Sequence, residues 1–145
     1  RAHATDDADR FEVKASAADH FSWLRTRLSL ERTLMAWVRT STALIGFGFT
    51  IVQFFDRIHH MEGVKAAMRP EAPRYLGLSL ILAGIVALVI ACWQYRRVEQ
   101  YLWKEPFSVL AGLRRKPMLT PLPSIAIGLM LIGLFAFGAV FLRVV

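Results

Sequence analysis

The chain has 145 residues, with 18 Lys and Arg against 11 Asp and Glu for a net charge of +7, yet 55% of it is hydrophobic and the mean hydropathy is +0.41. That length suits one compact unit, and the composition excludes an ordinary soluble domain, which runs nearer about 45–50% apolar. The surplus sits in three blocks, each close to the ~20 residues that cross a ~30 Å hydrocarbon core, so the positive charge points to headgroups and topology rather than to nucleic acid.

Residues 1–15 are polar and rich in acid (Asp6, Asp7, Asp9, Glu12) and read as a flexible tail. Residues 16–145 form the membrane domain. Residues 16–32 read as an amphipathic interfacial helix with Phe21, Leu24, Leu28 and, beyond it, Met35 on one stripe. Trp23 and Phe21 beside arginines suit the headgroup level. No proline lies between Ser22 and Phe55, so this helix is expected to run into the first span, 33–55. The linker 56–74 is polar and ends in Pro70 and Pro73. The second span is expected at 75–95. The following linker holds a partly apolar piece, Tyr101–Leu113, too short to cross and expected on the membrane surface or packed on the N-terminal helix. Pro121 and Pro123 precede the third span, 124–142, where proline is tolerated in the first helical turn. The expected fold class is thus all-α integral membrane, with three transmembrane helices and a preceding amphipathic helix continuous or nearly continuous with the first.

With three spans, the N-terminal segment and the second linker share a side. That side holds thirteen of the 18 Lys and Arg, and the other holds Arg57, Lys65, Arg69, Arg74 and Arg143. The asymmetry predicts a cytoplasmic N-terminus in an inner (plasma) membrane, with the C-terminus outside. No cleavable signal peptide is expected, because the first apolar block starts late and is long.

Arg25, Arg32 and Arg39 recur every seven residues. Seven residues fall only ~20° short of two helical turns, so one continuous helix carries all three on a single stripe, about 10 Å apart along the axis. The stripe runs from the surface into the apolar block, where an arginine at mid-helix costs about 2.5–3.5 kcal/mol. Three readings of Arg39 follow: it snorkels to phosphates, it meets an anion in a protein-lined wet cavity, or it forms an ion pair with Glu31 or a neighbouring subunit. Three helices cannot easily enclose a polar cavity, so shelter for Arg39 implies a homo-oligomer. Arg96, Arg97, Arg115 and Lys116 complete the candidate anion- or lipid-binding residues.

Small residues recur in the spans: Gly46 and Gly48; Ala83, Gly84, Ala87 and Ala91; Gly128, Gly133, Gly138 and Ala139. They allow close helix approach in lipid, within one chain or between chains. Glu31, four residues after Arg27, is placed for a surface pair. His59, His60 and Glu62 read as solvated loop residues, because a metal site needs more ligands at fixed geometry. Cys92 is the only cysteine and excludes an intrachain disulfide. No nucleophile–base pair, intramembrane carboxylate pair or phosphate-cradling glycine loop is present, so neither an enzyme nor a cofactor is expected.

Leu28–Thr40 reads LSLERTLMAWVRT. With Glu31-Arg32-Thr33, Ala36-Trp37 and Arg39-Thr40 at its core, and Tyr95-Arg96-Arg97 closing the second span, it resembles the signature of the YidH-like family of small membrane proteins, domain of unknown function 202. Glu31, Thr33, Trp37 and Thr40 are its structural motif residues. The same domain forms the membrane part of the eukaryotic vacuolar transporter chaperone, a polyphosphate polymerase complex. That relationship implies an oligomeric channel whose basic residues meet polyphosphate. Arg32 matches the arginine of the shared motif and Arg25 a basic position one heptad earlier. Arg39 belongs to the bacterial-type pattern, and Arg115 and Lys116 are nearest to the chaperone's basic residue before its third span. The polymerase and phosphate-sensing domains have no counterpart in this sequence, so synthesis is not implied.

The expected function is a small homo-oligomeric membrane protein, a conduit or binding site for a phosphate-rich anion lined by Arg25, Arg32 and Arg39. The alternative is a non-transporting scaffold or accessory subunit that binds anionic membrane lipids or a partner protein.

Overall fold

The computed structural model describes Lys14 and residues 16–61, 71–104, 107–111 and 121–142. Three α-helices make up nearly all of it: α1, Ala17–His59, α2, Ala72–Leu102, and α3, Pro121–Leu142. A short 3-10 turn, Phe107–Ala111, lies between α2 and α3. No strand occurs among the described residues, and all three helices are long and apolar enough to cross a membrane.

The first helix is a single element of 43 residues, with a contour of about 64 Å. Ser16 starts it from an extended backbone, its Oγ accepting from the Asp19 N–H at 3.2 Å, with Asp19 in the first turn where the dipole favours a negative charge. No proline interrupts it, and the amphipathic segment and the first span are therefore one helix. Its length exceeds a ~30 Å hydrocarbon core twofold, so it continues well beyond the core. Phe21, Leu28 and Met35 are exposed, whereas Trp23 and Leu34 are buried, because the packed face is the one that meets α2.

That face follows a constant antiparallel register. Gly48 meets Gly77: a Cβ on either would stand 2.7 Å from the other's carbonyl oxygen. One heptad along, Gly84 lies against Ser41, where a Cβ would be 2.9 Å from the Ser41 carbonyl oxygen. The same register carried further pairs Trp23 with the end of α2, where the indole N–H donates to the Leu102 carbonyl at 3.1 Å. Ile45, Val52, Ile81 and Leu88 fill the seam between these contacts. Small residues thus bring the backbones together, and dispersion between close surfaces holds the pair, as expected where lipid is as apolar as the side chains.

α2 continues seven residues beyond the apolar block that ends at Tyr95, a region expected to be linker. Nothing from Arg96 to Leu102 breaks a helix, and the turn is stabilised by packing on α1. Trp103 closes α2, its ring edge-on to Trp23 with centroids 5.4 Å apart. The 3-10 turn then folds onto α1, with the His20 Nδ1 hydrogen-bonded to the Leu110 carbonyl. Of the two expectations for this apolar piece, packing on the N-terminal helix is what is seen. At the other end, Arg74 donates to Asp56 Oδ1 at 3.2 Å, linking the end of α1 to the start of α2.

α3 is the most peripheral helix and packs mainly on α2. Gly133 lets it close on Ile45 and Ile85, each within 3.0 Å of where a Cβ would stand. Gly46, Gly128 and Gly138 face open space, so they serve no close approach within the chain.

Candidate functional site

The depth of each basic residue follows from α3. Its 22 residues span about 33 Å, only just the hydrocarbon thickness. Gly133 lies near its middle, which places Ile45 of α1 and Ile85 of α2 near the bilayer centre. At 1.5 Å per residue, Arg39 is then ~9 Å from the centre along α1, Arg32 ~20 Å and Arg25 ~30 Å. Arg97, counted from Ile85 along α2, is ~18 Å out. With a hydrocarbon half-thickness of ~15 Å, Arg39 lies inside it, Arg32 and Arg97 stand at phosphate level, and Arg25 is in water. Asp56 and Arg74 fall ~16 Å out on the opposite side, where an ion pair is tolerated.

Arg32 and Arg39 line one groove of about 440 Å³ together with Leu28, Glu31, Met35, Ala36 and Leu122. Leu122 comes from the start of α3, so the groove lies between α1 and α3. Arg25 is not part of its wall. All three arginines are exposed on the single chain. The helical repeat of 100° per residue puts them on the side of α1 away from the α2 seam. Two of the three expected ladder residues are therefore brought together, and the third stands apart.

Glu31 turns toward a different arginine. Its carboxylate is 4.0 Å from Arg27 Nε. The Arg27 guanidinium sits 5.9 Å from the Trp23 ring centroid and 6.0 Å from that of Trp103. Its side chain is only 16% exposed, so among the described residues the most enclosed arginine of this end is one that the seven-residue spacing passes over. Trp23, Arg27 and Glu31 recur every four residues, and that pattern is the signal for it. The indole expected at the headgroups is consumed by this intramolecular contact.

The remaining motif residues divide between backbone support and a second groove. Thr33 and Thr40 donate to the Ser29 and Ala36 carbonyls at 3.0 and 3.1 Å. Thr33 and Trp37 also line a groove of about 530 Å³ between α1 and α2. Trp37 borders a third, mostly apolar groove of about 500 Å³ with Leu82, Ala83, Val86, Ala87 and Ile90. Arg97 lies in the wall of the second groove, its guanidinium 4.4 Å from the Trp93 ring centroid. Arg96 is exposed and lines none of these three grooves. Arg115 and Lys116 lie outside the described residues. His59 and His60 are exposed at the end of α1, and no metal-ligand cluster occurs among the described residues.

Apart from Leu122, every residue lining these grooves lies within a family match over residues 22–101, described as Domain of unknown function (DUF202). The chain belongs to the DUF202 family. No curated protein and no solved structure matches it. The DUF202 segment contains all the signature residues from Glu31 to Thr40 and both arginines that close the second apolar block. As a DUF202 protein with three apolar helices of spanning length, it is a multi-pass membrane protein whose exposed helix faces suit lipid contact.

Proposed function

We propose that this DUF202 protein is a homo-oligomer, without catalytic activity, that binds a phosphate-rich anion against Arg32 and Arg39 and conducts it between subunits. The observation that carries the reading is the groove shared by these two arginines, one at phosphate level and one ~9 Å from the bilayer centre. A guanidinium inside the hydrocarbon zone needs a partner. Glu31, in the same wall, leans toward Arg27. The ladder faces away from the seam, so a neighbouring subunit is what would turn the open groove into a lined path. Thirteen of the 18 basic residues share this side, which supports a cytoplasmic location for it in a plasma membrane. Polyphosphate is the first anion to test, on the sequence resemblance to the chaperone's membrane domain.

The test is purified protein in liposomes. Its mass in lipid nanodiscs is expected to be a multiple of the chain mass, and polyphosphate or phosphate efflux is expected to fall strongly in Arg32→Gln and Arg39→Gln. A strict monomer, or flux unchanged by both substitutions, would overturn the conduit.

Leu28, Met35 and Leu122 in the same wall favour a second reading, in which the groove seats an anionic lipid and the protein is a scaffold. Absence of flux, with anionic lipid lost from Arg32→Gln and Arg39→Gln, selects it.

A further inference from the structure

The groove between α1 and the C-terminal half of α2 differs in kind from the arginine groove, with which it shares no lining residue. Its deep end is apolar, made by Leu34, Trp37 and Ala91. Its outer end carries Arg97, Gln94 and Tyr101. The polarity changes along its length, over the ~15 Å that separate Ala91 from Tyr101 on α2. Arg97 stands at phosphate depth by the same ruler that places Arg39 in the hydrocarbon. Trp93 holds its guanidinium from one face, leaving the planar edge free to donate two N–H bonds to the oxygens of a phosphate. No carboxylate is among the described lining residues.

We propose that this groove is a binding site for one anionic phospholipid, the phosphate on Arg97 and an acyl chain along Leu34, Trp37 and Ala91. The occupant follows from the two ends together. A free phosphate would satisfy Arg97 and leave the apolar wall uncovered. An apolar helix of a second copy would cover that wall and strand Arg97 and Gln94 without partners, which is unfavourable away from water. Only an amphiphile with an anionic head meets both. The volume, about 530 Å³, lies in the usual range for ligand pockets, roughly 300–1,000 Å³. The site gives the Trp37 of the signature and the Arg97 of Tyr95-Arg96-Arg97 one shared role, although they are far apart in sequence.

The test titrates delipidated protein in detergent with phosphatidylglycerol or phosphatidylcholine and reads lipid adducts by native mass spectrometry. One adduct is expected with phosphatidylglycerol at concentrations where phosphatidylcholine gives none. Arg97→Gln is expected to weaken it about thirtyfold, the scale of a lost charge-assisted pair. Arg96→Gln, which removes the same charge beside the groove, is expected to weaken it no more than about fivefold, the general effect of one basic residue near an anionic surface. Equal losses in Arg96→Gln and Arg97→Gln would overturn the site, as would displacement of the lipid by inorganic phosphate. A phosphatidylglycerol with a photoactivatable acyl chain supplies a second readout. Crosslinks should concentrate on residues 34–37 and around Ala91, and crosslinks spread over α3 would equally refute the assignment.

Discussion

Gly46 and Gly48 stand two residues apart in α1 and make opposite predictions for the same substitution. A Cβ at Gly46 meets nothing within 4 Å. A Cβ at Gly48 would stand 2.7 Å from the Gly77 carbonyl oxygen and 3.0 Å from both Ile81 Cγ1 and Leu80 Cβ. The nearest obstacle is backbone in the middle of α2, so relief requires the helices to separate. Overpacking of this kind costs about 1–3 kcal/mol. Alanine regains at most ~0.5–1 kcal/mol of helix propensity in water, and less where the unfolded state keeps its helices in the membrane. Gly48→Ala should therefore destabilise the α1–α2 pair by about 2 kcal/mol, whereas Gly46→Ala stays within about 0.5 kcal/mol of the wild type. Reversible unfolding in mixed micelles, followed by the fluorescence of Trp23 and Trp103, measures both. Equal effects of the two substitutions, or a neutral Gly48→Ala, would refute the glycine seam.

Trp23→Phe keeps an aromatic ring, though a smaller one, and removes the donor to the Leu102 carbonyl; a loss of at least about 1–2 kcal/mol is expected, read as faster hydrogen exchange at the C-terminal turn of α2. Arg27→Lys keeps the charge and loses the planar stacking on Trp23 and Trp103, for about 1 kcal/mol; Arg25→Lys should be neutral in the same unfolding assay. Ser41 is fully buried and its hydroxyl has no hydrogen-bond partner. Ser41→Ala should therefore be neutral or stabilising by up to about 1 kcal/mol, and a marked loss of stability would mean that the hydroxyl is paired after all.

The three spans were readable because each apolar block is long and nearly free of charge. The continuity of α1 was readable from the absence of proline. The end of α2 was not, because hydropathy reports where a helix touches lipid, whereas its hydrogen bonding continues through Arg96 and Arg97 to Leu102. The seam was only half legible. Gly48, Gly84, Ala91 and Gly133 were noted as small, but Ser41 and Gly77 were not. Inside a bilayer, a buried and a lipid-facing small residue look alike, since both environments are apolar. Ala83 and Ala87, at the conspicuous spacing of four, face a groove instead. At the candidate site, Arg32 and Arg39, seven residues apart, line one groove. The spacing of seven missed Arg27, because an aromatic beside an arginine reads the same whether the ring meets a headgroup or the arginine itself.

The shortness of α3 has a consequence for how the protein senses its membrane. α1 and α2 have polar turns to spare, whereas α3 itself covers about 33 Å. Gly133 ties the other two helices to it in depth. A change in bilayer thickness therefore cannot be absorbed by sliding α1 alone. Each leaflet takes half of any thinning, and the phosphate plane approaches Arg39 by that amount. Hydrophobic mismatch, felt first by α3, sets the distance between lipid phosphates and the deepest arginine.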